Sequence, residues 1–186
     1  MRNVFHEQLD QLNVELIKMG AMCEEAISAA TKAYVEGDRE LGERARSLEQ
    51  DIDHKERDIE SQCMKLLLRQ QPVASDLRAV SAALRMISDM ERIGDQAADI
   101  AEITRDIADN SIKDLVPIGD MARATIKMVT DSVDSFVRKD LGLAEGDFAL
   151  MRQGRLRLGV LPADCQLLAG ALVETSGLGE YLPSGL

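Results

Sequence analysis

The chain has 186 residues and a formal net charge of −11, with 33 acidic side chains against 22 basic ones. That balance excludes nucleic acid or an anionic membrane surface as the main partner, because both demand a basic face. The length suffices for one domain with its own core. With 3% aromatics and no Trp, that core must be built from Leu, Ile, Val, Met and Ala, which favours helix-on-helix packing over a sandwich.

Leu9, Leu12, Leu16, Met19, Cys23, Ile27, Ala30 and Tyr34 recur at steps of three and four. The spacing predicts a helix from about Asn3 to Glu36 with one buried stripe. Asn3 is its expected N-cap; Gly37 ends it, and Asp38 caps the next helix. The second helix is expected over about Arg39–Gln70, on the stripe Leu41, Ala45, Leu48, Ile52, Lys55, Ile59, Cys63 and Leu66, with Lys55 the single polar break. Its other faces carry Glu49, Asp51, Asp53, Glu56, Asp58 and Glu60, most of which should be solvated. Glu49 and Asp53 form an acidic i,i+4 pair. Asp51 and His54 form an i,i+3 pair that loosely matches half of a di-iron Glu-x-x-His element, but there is one copy and the acid is Asp. An ordinary surface histidine is the simpler reading of His54.

Pro72 is expected to stop the second helix, and Ser75 or Asp76 to cap a third that runs to about Ala108 or Asp109. Its stripe is Leu77, Val80, Leu84, Ile87, Glu91, Gly94, Ala98 and Ala101. Glu91 falls on that seam; Asp95 and Asp99 lie one residue beside it, each a turn further along. Carboxylates stacked at i,i+4 repel one another and weaken a helix. A multivalent cation removes that penalty, so Glu91, Asp95 and Asp99 are candidate metal ligands; a solvated acidic edge is the bland alternative. Arg85 and Arg92 flank the row and are expected to pair with neighbouring carboxylates. Three long amphipathic helices with tight connections predict an all-α, antiparallel three-helix bundle over residues 1–109.

After Asp109-Asn110-Ser111, the pattern Leu115, Ile118, Met121 or Ala122, Thr125, Met128 or Val129, Ser132 and Phe136 predicts a further helix over about Pro117–Lys139. Residues 110–145 thus read as the first helix of a second, incomplete repeat of the bundle. A helix in that position leaves its apolar stripe exposed unless another chain covers it, which leads to an expectation of a homodimer or of aggregation. Residues 146–186 change character: seven Gly and two Pro fall within them and no helical stripe persists. They are expected to be an atypical tail, read out of frame in a shortened chain. Cys23, Cys63 and Cys165 form no CxxC pair and no disulfide framework, which predicts a reducing compartment. Cys23 and Cys63 sit on apolar stripes as core residues. With no signal-peptide pattern and no apolar run of membrane length, the expected location is the cytoplasm.

The segment Pro72-Val73-Ala74-Ser75-Asp76-Leu77-Arg78-Ala79-Val80, followed by Asp89-Met90-Glu91-Arg92-Ile93-Gly94-Asp95, closely resembles the PhoU family of phosphate-transport regulators. So do Phe5-His6-Glu7-Gln8-Leu9 and the long acidic second helix. The resemblance covers about residues 1–145. It implies two three-helix bundles related by internal repetition, of which the second copy of Glu-Arg-Ile-Gly-Asp is absent here. It implies iron, zinc or manganese at acidic E/D-x-x-x-D motifs, mapped to Glu91 and Asp95 with Asp99 next in the row. It further implies a negative regulator of phosphate uptake and of the phosphate-starvation response, with no enzymatic activity. The implied partners are the phosphate transporter ATPase PstB and the sensor histidine kinase PhoR. Two other classes stand beside this one: a ferritin-like carboxylate metalloenzyme, which needs two Glu-x-x-His elements, and a metal-free helical interaction module. There is no glycine-rich phosphate loop of the G-x-x-x-x-G-K type, and a surface this acidic does not favour free phosphate.

Overall fold

A computed structural model describes residues 2–70, 74–106 and 117–146. Four helices carry the fold: α1 (Arg2–Glu36), α2 (Arg39–Gln70), α3 (Ala74–Asp106) and α4 (Ile118–Arg138). The first three pack pairwise, and α4 packs on α1. Their directions follow from which residues meet. Ile52 lies against Gly94, and the Glu56 carboxylate accepts a hydrogen bond from the Ser88 hydroxyl. Partners thus descend on α3 as they ascend on α2, so the two helices are antiparallel. Lys55 meets Glu15 and Arg44 meets Glu25, which makes α1 and α2 antiparallel as well.

The α1–α2 turn forms as the residue types require. Gly37 adopts φ 72°, the left-handed region that costs glycine little, and its N–H reaches the Ala33 carbonyl at 2.9 Å. Asp38 Oδ1 accepts from the Glu40 and Leu41 amides at 2.8 and 3.4 Å, satisfying otherwise orphaned donors at the start of α2. Lys55, the polar break in the α2 stripe, is explained across the interface. Its ammonium lies 3.0 Å from Glu15, which Lys18 also holds at 2.9 Å. These two hydrogen bonds, Lys18 first, keep the Glu15 carboxyl below its ordinary range.

Several expectations need correction. α1 begins at Arg2, so Asn3 lies in the first turn rather than at the N-cap. α3 begins at Ala74, so Ser75 and Asp76 are also within the first turn, where the charge of Asp76 favours the positive end of the helix. Leu77, expected on the α3 seam, is 49% exposed, while Ala83, Met86, Met90, Ile93 and Ala97 are buried beside Val80, Ile87 and Ala101. The reason is that α3 faces two neighbours, α1 and α2, and buries two adjacent stripes where one period shows only one.

The stripe of α4 is not left bare. Val129 and Val133 join the common core, Val133 sits over Gly20 of α1, and the Thr130 hydroxyl donates to Glu24 at 2.6 Å. The ground for expecting a second chain on this face is therefore removed: α1 of the same chain covers it. Pro117 and Lys139 flank α4, the latter in the left-handed region at φ 56°. Asp140 Oδ1 then accepts from the Leu143 amide at 3.1 Å at the start of a short helical segment over 141–146. Pro72, the connection through Asp109–Ser111, Leu115, Cys165 and the tail past Gly146 lie outside the described residues. Among the described residues, no helix is long and apolar enough to cross a membrane.

Candidate metal centre

The register that sets Ile52 against Gly94 also places the acids beside them face to face. Asp53 and Glu56 of α2 and Glu91 of α3 each offer a carboxylate oxygen, and the three atoms lie within 4.8 Å of one another. All three side chains are half-buried. Glu56 Oε1 accepts from Ser88 Oγ at 3.0 Å across the helix pair, and Asp53 Oδ2 accepts from Arg57 at 2.6 Å within α2. Glu49, Asp95 and Asp99 extend the acidic seam.

These acids destabilise each other's charged forms. The Glu91 carboxyl is pushed up by burial first, then by Asp95, Glu56, Asp53 and Glu49. Asp95 is pushed up by burial, then by Asp99 and Asp53; Glu49 by burial, then by Asp95 and Asp53. The named charges acting on all three are acids, so a multivalent cation would relieve each of them at once. The donor set is all oxygen, without imidazole or thiolate, which fits manganese and iron better than zinc.

Of the sequence candidates, Glu91 belongs to the tight group. Asp95 is exposed and adjoins it, feeling Asp53 across the interface. Asp99 is exposed and lies further along, and is not brought into that group. Asp53 enters it from α2, as an antiparallel arrangement allows. Glu56 and Ser88 are not legible as site residues from the helical period, because only the register makes them neighbours. Asp89, just 8% exposed, lies 3.7 Å from Arg92 and stands outside the acidic group. His54 is exposed, its Nδ1 set 2.6 Å from the Gln50 carbonyl oxygen one turn back, and stands outside the acidic group. Cys23 and Cys63 are free and buried; burial pushes their thiols up to about 12 and about 11.

The PhoU domain model matches residues 16–104, a span that holds both acid rows and most of the three-helix core. The phosphate-specific transport system accessory protein PhoU homolog of Pseudomonas putida is 33% identical over 145 residues, covering 75% of this chain and 56% of that protein. The homolog of Aquifex aeolicus is 36% identical over 140 residues, covering 75% and 63%. The chain belongs to the PhoU family. It spans less than two thirds of the length of these curated PhoU relatives. Two crystal structures share its fold. PhoU from Pseudomonas aeruginosa has a TM-score of 0.68 at 23% identity, covering 95% of this chain and 92% of its own. The phosphate transport system regulatory protein PhoU from Streptococcus pneumoniae has a TM-score of 0.72 at 21% identity, covering 98% of both. The all-helical expectation and the resemblance to the PhoU family are thus both met.

Proposed function

We propose that this chain is a non-enzymatic helical adaptor of a phosphate-specific transport system that holds manganese or iron between α2 and α3. In this reading it restrains phosphate uptake and the phosphate-starvation response through the transporter ATPase PstB and the sensor kinase PhoR. The names of its relatives, accessory proteins of phosphate-specific transport, support the transport setting. The observation that carries the metal is the convergence of Asp53, Glu56 and Glu91 from two helices. Asp53 and Glu56 would supply oxygens from α2 and Glu91 from α3, with Asp95 next in reach. A bound ion would offset the repulsion between the rows and clamp the two helices, presenting a less negative, stiffer face to a partner.

The test uses the full chain freed of metal by a chelator, then titrated with Mn2+ while the electron paramagnetic resonance signal of the free aqueous ion is followed. Loss of that signal at about one ion per chain is expected, with Glu91→Gln and Asp53→Asn each weakening binding at least tenfold, the lower end of what a mutated partner around a metal typically costs. A wild-type chain that leaves the signal untouched would leave a metal-free interaction module as the better reading. Co-purification with PstB that depends on Mn2+ tests the adaptor role.

A further inference from the structure

We propose that Ser88 is a positioning residue that orients Glu56 for the ion, an inference that rests on the metal reading above. Ser88 stands three residues before Glu91, on the same face of α3. One turn of helix therefore supplies both a ligand and a hydroxyl aimed at the opposite helix. That hydroxyl donates to Glu56 Oε1 at 3.0 Å, across 32 residues of sequence. Glu56 is the longer-armed of the two donors from α2, and fixing a free Glu side chain costs rotamer freedom. A donor that holds it before the ion arrives removes part of that cost from binding.

Two features set Ser88 apart from the other donor at the site. It is neutral, so it does not oppose a cation, whereas the Arg57 guanidinium on Asp53 does. It also engages a single oxygen of Glu56, leaving the second carboxylate oxygen for the metal. Partners of this kind around a metal site are typically worth tenfold to a hundredfold in affinity.

The experiment measures Mn2+ affinity and stoichiometry for wild type, Ser88→Ala, Ser88→Thr, Glu56→Ala and the double variant Ser88→Ala/Glu56→Ala. Ser88→Ala is expected to bind about tenfold more weakly at unchanged stoichiometry, and Ser88→Thr to restore wild-type affinity because it keeps the hydroxyl. Ala is the better helix former, so the metal-free Ser88→Ala chain should melt no lower than wild type. In the Glu56→Ala background the Ser88→Ala change should have no further effect. Wild-type affinity in Ser88→Ala, or an equal loss in the Glu56→Ala background, overturns the assignment while leaving the metal site standing. A wild-type chain that binds no Mn2+ overturns both.

Discussion

Replacing Gly94 with Ala probes the contact that aligns α2 and α3. A Cβ at this position would lie 3.1 Å from Ile52 Cδ1, 3.4 Å from its Cγ2 and 3.5 Å from its Cβ. Only the Cδ1 distance is tighter than ordinary contact, and Ile52 is completely buried, so its end methyl has little room to give way. Two effects oppose each other. Gly to Ala inside a helix is worth about 1 kcal/mol in favour of the variant. Over-packing of a filled interior costs about 1–3 kcal/mol. The balance is a net loss of about 1 kcal/mol, read as a lower urea midpoint at an unchanged slope. Ile52→Val removes the Cδ1 atom and alone costs about 0.5–1.5 kcal/mol. In the double variant the two losses should fall short of additivity by at least about 0.5 kcal/mol, because the new methyl occupies the space vacated. Gly94 adjoins Asp95, and Ile52 adjoins Asp53. Wedging the helices apart should therefore also weaken Mn2+ binding. A Gly94→Ala chain more stable than wild type, or strict additivity with Ile52→Val, would refute the close-contact argument.

Three further outcomes are expected. Glu49, Glu91 and Asp95 hold their protons more tightly in the folded chain than in the unfolded one, so the metal-free protein should gain stability as pH falls from neutral toward the ordinary carboxylate range. Glu15 has the opposite sign, and its contribution is lost only as pH drops below its ordinary value of 4.5. Melting temperatures of the chelator-treated chain should thus peak on the acid side of neutrality, and saturating Mn2+ should move that peak toward neutral pH; a monotonic fall from neutral pH without metal contradicts the mutual repulsion. Arg57→Gln removes a 63%-exposed cation from Asp53, which should strengthen Mn2+ binding a few-fold, a modest effect because solvent screens the pair; weaker binding in that variant would mean the guanidinium orients Asp53 instead. Thiol labelling followed by peptide mapping should find Cys23 and Cys63 unreactive until the chain unfolds, since both are buried and their thiols stay protonated; rapid labelling of either in the native chain rules that packing out.

Much of the fold is legible in the residues alone. The stripes of α1 and α2, the Gly37–Asp38 turn and the bounds of α2 all follow from local chemistry: a 3.6-residue period, one left-handed glycine and one capping carboxylate. The helix starts at Arg2 and Ala74 are less legible, because several neighbouring residues compete for a cap. Half of the candidate centre is legible too. Glu91 and Asp95 announce themselves as acids on or beside a seam, where repulsion needs a remedy.

The other half depends on register, which a helical period does not contain. Each helix declares which face it buries, but sliding α2 along α3 by one turn preserves both stripes while changing every pair of neighbours. The close fit of Ile52 over Gly94 selects one alignment, and that alignment alone brings Asp53 and Glu56 to Glu91, and Ser88 to Glu56. The burial of two α3 stripes, the Lys55–Glu15 pair and the covering of α4 by α1 have the same origin. The amino-acid sequence by itself determined the helices, their apolar faces and the surplus of negative charge; the tertiary structure decided which carboxylates share a site, because that depends on packing between residues some 30 to 40 positions apart.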